Sequence, residues 1–158
     1  MLALYLTIWL ALILFALAET GRPRRRNAGS PGWPWWAFTI GLALAVVHTI
    51  LAFAAVHDWV HDDAVRSTAM QTAAVYGVAV GWGVYVNYVF LGVWLADAWW
   101  WRRAPHGYIR PIAVTWTLRA FYLVMIFNGA VVFAAGPRRA LGAAVVAVLC
   151  VAWGRRSG

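Results

Sequence analysis

The sequence predicts an all-α, polytopic transmembrane bundle of about five spans, and three observations carry that prediction. Of 158 residues, 64% are hydrophobic and only 11% are charged. A soluble domain carries about 25% charged residues, so this chain lacks the polar surface to cover a water-soluble globule and needs a bilayer as its solvent. The apolar residues gather in five runs, 2–18, 35–56, 72–98, 112–134 and 140–153. The basic residues, all thirteen of them arginine, stand in short clusters between those runs. No long polar stretch is left over for a second unit, so residues 1–158 read as a single integral membrane domain.

A spanning helix needs ~20 residues, with a range of ~17–25. The first run is at the short end of that range. Ala16-Leu-Ala18 resembles a signal-peptide cleavage site, but a secretory signal carries positive charge ahead of its apolar core. Here nothing basic precedes the run, and Arg22, Arg24, Arg25 and Arg26 follow it, which suits an uncleaved helix. The second run opens on Pro34, the fourth on Pro111 and the fifth just after Pro137, where a missing N–H costs nothing. The third run is long and is expected to tilt or protrude, with Thr68-Ala-Met-Gln71 as a capping box at its start. The fifth is short enough to be thinned or half-inserted.

Counting arginines sets the topology. With the N-terminus outside and the C-terminus inside, the inner segments hold Arg22, Arg24, Arg25, Arg26, Arg102, Arg103, Arg110, Arg155 and Arg156, whereas the outer loops hold Arg66, Arg138 and Arg139. Cytoplasmic loops carry the excess of arginine, and the expected location is a bacterial cytoplasmic (inner) membrane. Trp33, Trp35 and Trp36 beside the second run, and Trp99, Trp100 and Trp101 beside the third, fit an aromatic belt at the inner interface. The net charge of +8 does not point to nucleic acid, because the arginines follow the span ends rather than one face or tail. Anionic headgroups are the better partner for them.

Small residues recur at helical spacing: Ala69, Ala73, Gly77 and Gly81; Gly41 and Ala45; Ala140, Ala144 and Ala147. In lipid such stripes let backbones approach. The polar residues inside the runs are the candidates for chemistry. His48 lies roughly 12 Å from the outer end of the second run and Asn128 roughly 9 Å from that of the fourth, at 1.5 Å per residue. Gly77 and Gly81 fall in the same layer, so an imidazole, an amide and a glycine-lined gap are candidates for binding haem or a chlorophyll-type tetrapyrrole. The plainer alternative is a hydrogen bond from His48 to Asn128, Thr49 or a backbone carbonyl that ties two helices together. In His57-Asp-Trp-Val-His-Asp-Asp63, a continued helix would put His57 and His61 on one face with Asp58 and Asp62 beside them, a donor set for one divalent metal. The alternative there is a solvated helix end with Asp62 paired to Arg66. Asp97 and Arg119 are expected to form a partly buried ion pair near the inner face, and Asn87 to bond a neighbouring helix or partner subunit. Cys150 stands alone in an apolar run and reads as a small buried thiol.

The segment Pro31-Gly-Trp-Pro-Trp-Trp-Ala-Phe38 loosely resembles the Trp/Pro loop of the tryptophan-rich sensory proteins, a family of porphyrin binders. Its proline spacing differs, and that family's later Asn-, Trp- and Pro-Tyr-bearing motifs are missing, so membership is not inferred. No Ser-His-Asp set, P-loop or glycine-rich nucleotide motif is present. These features favour an accessory or structural subunit of a larger membrane complex, an energy-converting one among the candidates, partnered by lipid and other membrane subunits. The alternatives are a tetrapyrrole-binding protein using His48 and a metal-binding one using His57, Asp58, His61 and Asp62.

Overall fold

The computed structural model describes residues 2–22, 32–104 and 110–155. Among the described residues the fold comprises six α-helices: α1 (Leu2–Gly21), α2 (Trp33–Val56), α3 (His61–Tyr76), α4 (Gly83–Arg103), α5 (Ile112–Phe127) and α6 (Pro137–Gly154), with a π-helical turn at Asn128–Val132 continuing α5. Four of these, α1, α2, α5 with its π turn, and α6, are long and apolar enough to cross a membrane. α4 has 21 residues, about 31 Å at 1.5 Å per residue, and runs among them. It is less apolar because it carries Asn87, Asp97 and a terminal arginine pair. With α3 set apart, the chain makes the five-span helical bundle expected from its hydropathy.

Long-range contacts fix the direction of each helix. Leu4 meets His48 and Ala11 meets Gly41, so α2 runs antiparallel to α1. Phe15 meets Trp94 and Arg22 meets Asp97, so α4 runs parallel to α1. Phe90 meets Phe121 while Arg110, just before α5, meets Asp97, so α5 returns. Tyr5 meets Arg138 and Glu19 meets Trp153, so α6 runs the same way as α1. Five crossings leave the first and last helices ending at the same end of the bundle, and the described start and finish of the chain at opposite ends.

The core is aromatic. Fully buried Phe15 sits at its centre, with ring centroids 5.3 Å from Phe38, 4.9 Å from Trp94 and 5.0 Å from Tyr122. One residue thus joins α1, α2, α4 and α5. Small residues permit this density. A Cβ on Gly41 would lie 3.0 Å from the Ala11 carbonyl and 3.2 Å from Trp94, so the stripe of Gly41 and buried Ala45 is where α2 closes on α1. On α6 the inward stripe is Gly142, Val145, Leu149, Ala152 and Trp153. Ala140, Ala144 and Ala147 instead face outward, contrary to their expected packing role. Gly142 lies so near the Ala130 carbonyl in the π turn that any Cβ would clash with it. Cys150, expected to be buried, is exposed.

The third apolar run does not form one helix. α3 ends at Gly77, whose φ of 75° caps it in the left-handed region, a conformation glycine adopts at no steric cost. The chain then turns back. The Val80 N–H donates to Thr72 Oγ1 at 2.7 Å, and Gly81 packs against Val65. α3 and α4 are therefore a tight hairpin, and Gly77 and Gly81 belong to its turn rather than to a helix face with Ala69 and Ala73. Thr68 lies inside α3, its hydroxyl bonded to the Ala64 carbonyl, and Gln71 bonds Ser67, so the expected capping box is not the start of this helix. Asn87, expected to bond a neighbouring helix or partner subunit, sits one turn inside α4 and is exposed.

Candidate functional site

The polar chemistry of this bundle concentrates at the end where α1, α4 and α6 finish and α2 and α5 begin. Glu19 is in the last turn of α1 and Asp97 in the second half of α4; both are almost wholly buried, at 3% and 2% exposure. Two carboxylates cannot be held there uncompensated. Arg22, one residue past the end of α1, lies between them. Its guanidinium donates to Glu19 Oε1 at 2.7 Å and, as a two-pronged fork, to Asp97 Oδ1 at 2.7 Å and Oδ2 at 3.0 Å. Arg110, next to Pro111 at the start of α5, donates to Asp97 Oδ1 at 2.6 Å and to the Thr115 hydroxyl at 3.2 Å. The Tyr122 hydroxyl reaches Asp97 Oδ2 at 3.4 Å, and the Trp153 indole N–H donates to Glu19 Oε2 at 2.8 Å.

Two acids and two guanidiniums make a neutral set, and with Tyr122 and Trp153 the network draws on α1, α4, the approach to α5, α5 itself and α6. Rings cover it: Arg22 stacks 4.2 Å from the Trp101 centroid and 5.4 Å from that of Phe38, an arrangement that stabilises a desolvated guanidinium. Burial disfavours the charge on Arg22, but Glu19 and Asp97 outweigh it through charge and hydrogen bonds and hold its pKa above the usual arginine value. The expected partner of Asp97 was Arg119. Asp97 is bound instead by Arg22 and Arg110, while Arg119 lies 5.1 Å from the Trp116 ring and 5.7 Å from that of Trp153. The sequence reading missed Glu19 altogether and counted Arg22 and Arg110 only as markers of topology. The available signal was that Glu19 and Asp97 are the two acids outside the His57–Asp63 cluster, each at the same end of its run.

The other candidates fall in different places. His48 Nδ1 lies 2.8 Å from the Leu4 carbonyl of α1, the interhelical bond given above as the plainer alternative. Asn128 accepts the Tyr76 hydroxyl at 2.5 Å and donates to the Val124 carbonyl at 2.9 Å, tying the π turn to α3. The hydrogen bonds of His48 and Asn128 thus go to different elements, and Gly77 and Gly81 lie in the hairpin turn. The layer drawn from these four residues is not assembled as a helix-lined gap.

At the outer cluster, α2 stops at Val56. Asp58 and Trp59 adopt positive φ of 45° and 61°, and the Trp59 N–H closes back on the Phe53 carbonyl at 3.0 Å. α3 begins only at His61, so His57 and His61 do not share the face of one helix. His61 engages two phenols, with Nε2 3.1 Å from the Tyr85 hydroxyl and Nδ1 3.4 Å from that of Tyr88, and its ring lies parallel to Phe53 at 6.1 Å. The exposed ion pair here is Asp63–Arg66 at 3.3 Å, one residue along from the expected Asp62–Arg66. Among the described residues no group of three or more His, Cys, Asp or Glu is placed to hold a metal ion. Arg24, Arg25, Arg26 and Arg156, part of the topology argument, lie outside the described residues.

No protein-family model matches the chain, and no curated protein or solved structure matches it. The class of protein is therefore defined by the fold alone: a multi-pass helical membrane protein.

Proposed function

We propose that this protein is an accessory or structural subunit of a larger membrane complex, with its arginine-rich end in the cytoplasm. One observation supports the reading above others. The polar groups within its helices act as struts: Glu19, Arg22, Asp97 and Arg110 neutralise one another, His48 ties α2 to α1, and Asn128 ties the π turn to α3. Intramembrane ionisable residues usually mark a transport or proton path; here they join helix to helix. The outward face of α4 offers a partner helix a close approach. Gly92 has open space where a Cβ would lie, between exposed Tyr85, Tyr88, Leu95 and Trp99. Gentle extraction from the native membrane followed by size analysis tests the proposal. The expected result is a defined larger assembly that Gly92→Leu weakens without unfolding the chain. A homogeneous monomer that Gly92→Leu leaves unchanged would sink it.

A second reading keeps His48 as a ligand. A ligating histidine almost always gives its other ring N–H to a carbonyl or carboxylate, and the Leu4 carbonyl at Nδ1 leaves Nε2 available to a tetrapyrrole metal. A Soret band in the purified protein, abolished by His48→Ala, would favour this reading; a colourless preparation from native membrane rejects it.

A further inference from the structure

The five acids and thirteen arginines of the chain are shared unequally between the two ends of the bundle. By sequence, the last turn of α4 and the segments that follow α1, α4 and α6, together with Arg119, hold ten arginines against Glu19 and Asp97. The opposite end carries Arg66, Arg138 and Arg139 against Asp58, Asp62 and Asp63. The whole net charge of +8 therefore belongs to one end and the other is balanced. At the charged end, Glu19 and Asp97 bind Arg22 and Arg110.

A groove opens at that same end along the last turns of α6, beside the end of α1. Ala147, Val148, Val151 and Ala152 line it, with Thr20 of α1 and Arg155. From Ala147 to Arg155 it follows α6 for about 12 Å, at 1.5 Å per residue. Its wall is almost entirely apolar, and its one charged residue stands at the terminal end, where a headgroup lies when the helix spans a bilayer. The outward alanines leave the width: Ala147 contributes only a methyl group to a face that leucines would fill.

We infer that this groove is a binding site for an acidic phospholipid of the arginine-rich leaflet, with an acyl chain against Ala147, Val148 and Val151 and the phosphate towards Arg155. Charge complementarity selects the occupant. An apolar trough alone would suit any lipid tail or a partner helix, but a cationic mouth on the +8 end favours a molecule with an apolar chain and an anionic head. A basic residue near an anionic headgroup contributes about 1 kcal/mol, which converts to a preference of about fivefold.

The test is native mass spectrometry of the intact, delipidated protein in detergent, titrated with phosphatidylglycerol or phosphatidylcholine of identical chains. The expected result is a first adduct that prefers phosphatidylglycerol about fivefold or more. Arg155→Gln should reduce that preference about fivefold, and Ala147→Trp, on an outward position, should remove the adduct with both lipids. Thermal transitions of both variants should match the parent, which separates loss of the site from loss of the fold. Equal uptake of the two lipids, or a preference that neither substitution moves, overturns the inference. So does a dimer whose formation excludes both lipids and is broken by Ala147→Trp, because the groove would then hold a helix. None of these outcomes depends on whether the protein is an accessory subunit.

Discussion

Asp97→Ala is the most direct probe of the buried network. Asp97 receives the forked Arg22 guanidinium at 2.7 and 3.0 Å and Arg110 at 2.6 Å, with its side chain 1% exposed. Removing one partner of a buried ion pair costs ~3–5 kcal/mol, chiefly because the remaining charge is left buried. Two features place this site at the lower end. Arg22 retains Glu19 at 2.7 Å, and Arg110, 16% exposed, has a route to water. The expected loss is therefore about 3 kcal/mol for Asp97→Ala. It should be somewhat smaller for Asp97→Asn, which keeps one acceptor oxygen, replaces the other with an NH2 donor and carries no charge. Reversible unfolding in mixed micelles with increasing denaturing detergent measures it. Pairing Asp97→Asn with Arg110→Gln should cost clearly less than the sum of the single changes, since each single change orphans a charge that the double change removes. Destabilisation under about 0.5 kcal/mol, the size expected of ordinary surface substitutions, would show that the four charges do not hold the helices together.

Other outcomes follow from the same packing. Gly142→Ala should destabilise the bundle by about 1–3 kcal/mol by overpacking, because its Cβ meets the Ala130 carbonyl; Gly92→Ala, with open space around it, should not, and a thermal shift assay in detergent separates the two. His48→Ala should cost about 1 kcal/mol through the lost bond to Leu4, read in the same micellar unfolding assay; a loss several times larger would point to a bound group at Nε2. Gly77→Ala places a Cβ at φ 75°, a cost of about 1–2 kcal/mol. That cost should appear as faster hydrogen exchange in the α3–α4 hairpin with the other helices unchanged. Single cysteines at positions 66 and 103, in a Cys150→Ser background, should label from opposite sides of sealed vesicles; labelling from one side would refute the five-crossing arrangement.

Four of the five crossings were legible because an apolar run of the right length has few alternatives in lipid, and proline placed three helix starts within a few residues. The third run misled because hydropathy does not register backbone direction. Ala69, Ala73, Gly77 and Gly81 match a packing stripe, yet Gly77 breaks the helix, and the Thr72 hydroxyl replaces a helical acceptor for Val80. The shared helical face expected of His57 and His61 is absent for the same reason: an i, i+4 pair lines one face only if the helix continues, and Asp58 and Trp59 turn left-handed between them. The charge network was hidden by distance along the chain. Glu19 bonds a residue 134 positions away, and Asp97 one 75 positions away. An arginine that pairs in the core looks, in a string of letters, the same as one that only orients a loop.

The bond between Trp153 and Glu19 also bears on how the protein is made. Chains are synthesised from the N-terminus, so α1 enters the membrane with Glu19 and Arg22 satisfied only by each other. Asp97 arrives with α4, Arg110 follows, and the indole that completes Glu19 emerges later still, with α6. A translation product interrupted before α6 would thus carry an incompletely sheltered acid in its first helix. Quality-control proteases that recognise exposed charge in the membrane would have a signal there until α6 is in place.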